Sequence, residues 1–112
     1  MELTASLMTK RELILSRVKE LISSKEPKAE IILFGSRARN DNKSDSDWDI
    51  LVLMDKDKIS LSDEQALRHP LYDIELDTGE VLSLLIYSKN EWNNKLKVTP
   101  LYKIVKKEGI IL

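Results

Sequence analysis

Residues 29–54 read AEIILFGSRARNDNKSDSDWDILVLM, and the order of residue types in this stretch decides the fold. Two apolar runs, 29–34 and 48–54, flank a polar segment that opens on glycine. Both runs are short and continuous rather than alternating, the pattern of a strand buried on both faces. The polar segment carries chemistry of its own. Gly35, directly after a strand, permits a tight turn and a close approach of backbone to ligand. Ser36 adds a hydroxyl and an N–H. A helical turn begun at Ser36 would aim its unpaired N–H groups at the same ligand and favour an anion there. Arg37 and Arg39 can add charge-assisted hydrogen bonds to phosphate oxygens. Asp47 and Asp49 stand two apart at a strand start, so their side chains share one face while Trp48 points to the other, into the core. Two carboxylates beside a phosphate cradle form a hard oxygen site suited to Mg2+.

Outward from this centre, strands and helices alternate. Thr9 and Glu12 form a capping box, and Ile14, Val18, Leu21 and Ile22 follow at helical spacing, which predicts a helix ending near Ser24 and Lys25. Ser62 and Gln65 form a second box, ahead of Leu67, Leu71 and Ile74 on one helical face and Gly79 as a C-terminal stop. Over residues 71–79 the alternation of Tyr72, Ile74 and Leu76 with acids also fits a strand turning at Asp77-Thr78-Gly79; the cap and the glycine favour the helix. Val81–Tyr87 reads as a third strand. Ser88 with Glu91 opens a short helix, and Thr99-Pro100 opens a last one running to about Glu108. Gly109 ends it, and Ile110–Leu112 reads as a short strand or a tail. The sum is an α+β fold with α/β-like alternation, a small mixed sheet of three or four strands flanked by helices.

The chain's 112 residues suffice for a single domain spanning 1–112 with one modest core. Hydrophobic residues at 42% and charged residues at 33% suit a folded chain rather than a disordered one. Cysteine is absent, which excludes disulfides and thiolate metal sites, and His69 alone cannot build a zinc site. No apolar run is long enough for a membrane span, and the N-terminal MELTASLMTKREL has no leader-like apolar core, so the cytoplasm is expected. A net charge of −1 gives no global pull toward nucleic acid or membrane. The charge is unevenly spread, with an acidic middle and six lysines over residues 89–108.

Gly35-Ser36, ten further residues, then Asp47-Trp48-Asp49, with a strand on either side, resembles the signature of the polymerase-β-like nucleotidyltransferases. The strings GSRAR and SDSDWDI resemble in particular its minimal nucleotidyltransferase branch, small proteins often paired with HEPN-domain proteins as toxin and antitoxin. The resemblance implies that Gly35 and Ser36 hold the triphosphate of ATP and that Asp47 and Asp49 bind divalent metal, Mg2+. It implies transfer of a nucleoside monophosphate, usually AMP, to a hydroxyl, here one on a HEPN-type partner protein. The family normally adds a third carboxylate from a later strand. The run VLSLLIY holds no acid; Ser83 stands where one could face inward, and Glu80 is the nearest substitute, with Asp77 another. That gap motivates a second reading, a degenerate module that binds nucleotide or neutralises its partner by contact alone. A third reading uses the C-terminal lysines to bind nucleic acid, against which charge and the low aromatic content speak.

Several residues have plainer roles available. Asp45 and Ser46 read as turn residues. Trp48 and Trp92 read as core or interface aromatics, and Trp92 with Tyr102 could serve a homo-oligomer. His69 reads as a surface or structural residue, and the lysines of 95–107 as a solvated helix face.

Overall fold

Thr9 caps the first helix through its hydroxyl, which accepts the Glu12 N–H at 3.1 Å. Helix α1 (Lys10–Lys25) buries Ile14, Val18 and Ile22. Strand β1 (Glu30–Phe34) follows, then a single helical turn, α2 (Ser36–Arg39), then β2 (Trp48–Met54). The long helix α3 (Leu61–Thr78) leads to β3 (Leu82–Ser88). A short α4 (Lys89–Asn93), a 3-10 turn (Leu96–Val98), α5 (Pro100–Glu108) and β4 (Ile110–Ile111) complete the chain. The computed structural model describes residues 8–112; residues 1–7, part of the stretch read for a leader, lie outside them.

The strands form one mixed sheet in the order β3-β2-β1-β4. Strands β1 and β2 pair antiparallel with Phe34 opposite Asp49, β2 and β3 pair parallel with Asp49 opposite Ser83, and β4 pairs antiparallel with β1. Helices cover both faces. On one, Trp48, Ile50, Val52 and Met54 pack with Ile31 and Leu33 against α1 and against Leu67, Leu71 and Ile74 of α3. On the other, Ile32, Leu51 and Leu53 pack against Trp92 and Val105. Strand β2 is therefore buried along its whole length except at one half-exposed residue, Asp49. Burial on both faces is the physical reason its sequence does not alternate.

One detail departs from the sequence reading, and two open alternatives resolve. The cap of α3 is Ser60 with Asp63, a true box with both hydrogen bonds at 3.0 Å, and Ser62 with Gln65 lies inside the first turn. Asp63 also accepts from Lys56 Nζ, at 2.9 Å. Residues 71–78 are helical, so the alternation of Tyr72, Ile74 and Leu76 is incidental: Ile74 is buried, while Tyr72 and Leu76 are exposed. Trp92, read as a core or interface aromatic, belongs to the core, buried between Tyr87 and Tyr102 with ring centroids 6.0 and 5.2 Å away. Among the described residues no helix is long and apolar enough to cross a membrane.

Candidate active site

The site begins where β1 ends. Gly35 has φ 77° and ψ −162°, a backbone conformation that side-chain-bearing residues rarely adopt. A Cβ there would also overlap the Asp49 carboxylate. Glycine is required twice over, for conformation and for space. The turn then closes as α2, where the Ala38 and Arg39 N–H groups donate to the Gly35 carbonyl at 3.0 and 3.1 Å. Asn40 stops it in the left-handed region at φ 61°, a conformation asparagine tolerates.

The two arginines of this turn part company. Arg37 is buried and lies over the Trp48 ring, 4.4 Å from its centroid. Its Nε and Nη2 donate to the Ser46 carbonyl at 3.2 and 2.9 Å, and Nη2 also donates to Ser44 O at 3.3 Å. Glu80 completes the arrangement, 3.6 Å from Arg37 Nη2 and 3.5 Å from Lys10 Nζ. Arg37, expected at the phosphate, is thus committed to the frame and pins the 44–46 loop that leads into β2. Its neighbour Ser36 opens α2, half-buried.

Glu80, expected as the third carboxylate, is likewise placed elsewhere. It pairs with Arg37 on the Trp48 side of the sheet, whereas Asp49 lies on the opposite side. The register sets Ser83 beside Asp49, so β3 brings no acid to the pair.

Arg39 takes the other direction. Its Nε donates to Asp41 at 2.9 Å, and its Nη1 donates to both oxygens of Glu108, at 2.9 and 3.1 Å. Glu108 also accepts the Gly35 N–H, at 2.6 Å. Sequence reasoning missed Glu108 because it lies 73 residues from Gly35. A usable signal existed: α5 ends at Glu108, Gly109 breaks it, and Ile110 pairs with Leu33, so continuing that register sets Glu108 against Gly35.

Asp49 is half-buried against Gly35, and Asp47 is exposed at the mouth. Burial, first, pushes the Asp49 carboxyl above its ordinary range; the nearby charge of Asp47 and then that of Glu108 push it further, and Arg39 opposes them. This crowding of negative charge is what a cation relieves. Among the described residues no group of three or more possible ligands gathers to hold a metal. Two carboxylates nevertheless suit Mg2+, which commonly takes one or two carboxylates and completes its shell with water and substrate phosphates.

A mixed sheet with a glycine turn closing one strand and an acidic pair opening the next is a nucleotidyltransferase-type fold, and solved structures share it. A toxin–antitoxin crystallised with AMP-PNP superposes with a TM-score of 0.61 at 22% identity, over 86% of this chain and 69% of that one. A Sulfolobus solfataricus protein assigned as a nucleotidyltransferase superposes with a TM-score of 0.54 at 20% identity, over 88% of this chain and 75% of that one. Residues 15–112 match the nucleotidyltransferase domain family, and the chain belongs to it. No curated protein gave a significant match.

Proposed function

We propose that this chain transfers AMP from ATP to a hydroxyl on a partner protein, as the antitoxin of a HEPN-type pair working in the cytoplasm. The observation that carries the reading is the packing of the Asp49 carboxylate directly on Gly35, in a turn whose N–H and neighbouring Arg39 already hold an anionic oxygen. Donors arranged for a carboxylate also suit a phosphate. Gly35 N–H and Arg39 bind the polyphosphate, with Ser36 beside them, and Asp47 and Asp49 hold Mg2+. When bound, Mg2+ offsets charge on the phosphates during in-line displacement. The acceptor oxygen bonds to the α-phosphorus, the bond from that phosphorus to the bridging oxygen breaks, and pyrophosphate leaves with the electron pair. The hydroxyl proton passes to water, since Asp47 and Asp49 are engaged on the cation and β3 sets Ser83, not an acid, beside Asp49. The toxin–antitoxin neighbour supports ATP as donor and a protein as partner.

The pairing of Asp49 with Ser83 rather than an acid favours one competing reading, a module that binds nucleotide but neutralises its partner by contact. Titration of ATP into the protein by calorimetry, with Mg2+ and with EDTA, begins the test. It is followed by transfer of label from ATP to the partner, with wild type and Asp47→Asn. Mg2+-dependent binding and transfer are expected in wild type. In the variant, transfer falls by about a hundredfold to a thousandfold, the several kcal/mol that metal stabilisation supplies. Equal label transfer by both proteins overturns the enzyme assignment, and binding without transfer turns the reading to the contact module.

A further inference from the structure

The two donors assigned above to a phosphate are engaged by an anion of the chain itself. Glu108 Oε2 accepts the Gly35 N–H at 2.6 Å, and Arg39 Nη1 donates to both Glu108 oxygens. The contact is built into the sheet. Strand β4 pairs with β1 through Leu33 and Ile110, and Leu112 N donates to Ile31 O at 2.9 Å. Gly109 lets α5 end this close, since a Cβ there would press on the Val105 carbonyl and on Ile32 Cγ2. The backbone at Glu108 is therefore fixed beside the glycine turn, and only its side chain can leave. That side chain is 15% exposed, so it fills the place rather than hanging in solvent. Asp41, Asp47, Asp49 and Glu108 then set four carboxylates in this corner against Arg39, a balance unfavourable to an incoming polyphosphate.

We propose that Glu108 is a built-in competitor of the nucleotide: its carboxylate occupies the phosphate position at Gly35 N–H and Arg39, and a polyphosphate binds by turning it out. This rests on the reading of the site as nucleotide-binding, and it adds a closed, self-occupied state to it. The apparent dissociation constant is the intrinsic one divided by the open fraction, so whatever frees the two donors tightens binding. A third metal-binding carboxylate would behave oppositely, and Glu108 joins no metal-holding group with Asp47 and Asp49 among the described residues.

The test is calorimetric titration of inorganic tripolyphosphate and of ATP, each with Mg2+ and with EDTA. The proteins are the full-length wild type, Glu108→Gln and Glu108→Ala, with thermal melts as the fold control. Glu108→Gln keeps size and an acceptor oxygen but removes one of the two charges that hold Arg39, leaving Asp41 on Nε, and it decides the matter if Glu108→Ala does not fold. Both ligands are expected to bind Glu108→Gln roughly tenfold more tightly than wild type, a coupling of ordinary size, and the gain is expected in EDTA as well as in Mg2+. Unchanged or weaker affinity in folded variants, beside measurable binding by wild type, overturns the competitor and leaves the nucleotide site standing. A loss confined to the Mg2+ samples overturns it in favour of a metal-binding role. ATP binding by none of the three folded proteins overturns the nucleotide reading and this one together.

Discussion

Two arginine–glutamate pairs stand on opposite faces of the sheet where β2 begins, and they are built differently. Arg37 and Glu80 lie 3.6 Å apart with side chains 9% and 12% exposed, and Arg37 is stacked on the Trp48 ring and makes three hydrogen bonds to carbonyls. Arg39 and Glu108 lie closer, at 2.9 Å, yet the Arg39 side chain is 45% exposed. The tighter ion pair is the more replaceable one. Guanidinium N–H groups buried in the first pair have no water to turn to, so that pair belongs to the frame. Those of the second face solvent beside Asp49, so a ligand can exchange for the carboxylate at little cost in stability. Proximity of charges does not mark structural importance here; burial of their remaining hydrogen-bonding groups does.

Arg37→Ala strikes at that distinction hardest. It leaves the carbonyls of Ser44 and Ser46 without their donor and Glu80 with Lys10 alone, and it is expected to cost about 3 kcal/mol in urea unfolding. Arg37→Lys is expected to recover little of this, since the ring stack and the fork of donors are both lost. Gly35→Ala sits between the two pairs. Strained backbone and overlap with Asp49 are expected to cost about 1–3 kcal/mol by the same measurement and to remove ATP binding. Arg39→Ala is expected to lower stability by less than about 1 kcal/mol while weakening tripolyphosphate binding in calorimetry. A loss of stability as large as that of Arg37→Ala would abolish the contrast. The smallest effect lies away from both pairs, at the cap of α3. Hydrogen bonds from the Ser60 backbone and then from Lys56 hold the Asp63 carboxyl down to about 2. Its stabilisation is therefore complete above the unfolded value near 4 and is lost as pH falls through about 2. Thermal melts of Asp63→Asn are expected to lie below wild type at pH 7 and to converge with it toward pH 2.

Much of the fold was legible because local signals agree with one another. Capping residues, terminal glycines and continuous apolar runs set α1, α3, α5 and the strands within a residue or two, and they agree because each acts over a few residues. The acidic pair and the glycine turn were legible for the same reason, lying within one polar segment. Three placements were not. Arg37 and Arg39 look equivalent in sequence, but at roughly 100° per residue a helical turn sends side chains two apart to nearly opposite sides. Glu80 looked like a partner for Asp49 because it precedes β3, yet the parallel register puts Ser83 there and turns Glu80 to the other face. Glu108 depends on β4 pairing with β1, and a strand of only two residues carries little pattern of its own.

The Gly35–Glu108 hydrogen bond has a consequence for the order of folding. Its partners are 73 residues apart, among the longest loops this chain can close, and loops of that kind are favoured only after shorter-range pairings have formed. Strands β1 and β2 and the helix between β2 and β3 can assemble without it. The amide of Gly35 therefore gains its protein partner when α5 and β4 dock, and its slowing in a pulsed hydrogen-exchange experiment would time the completion of the site separately from the formation of the sheet.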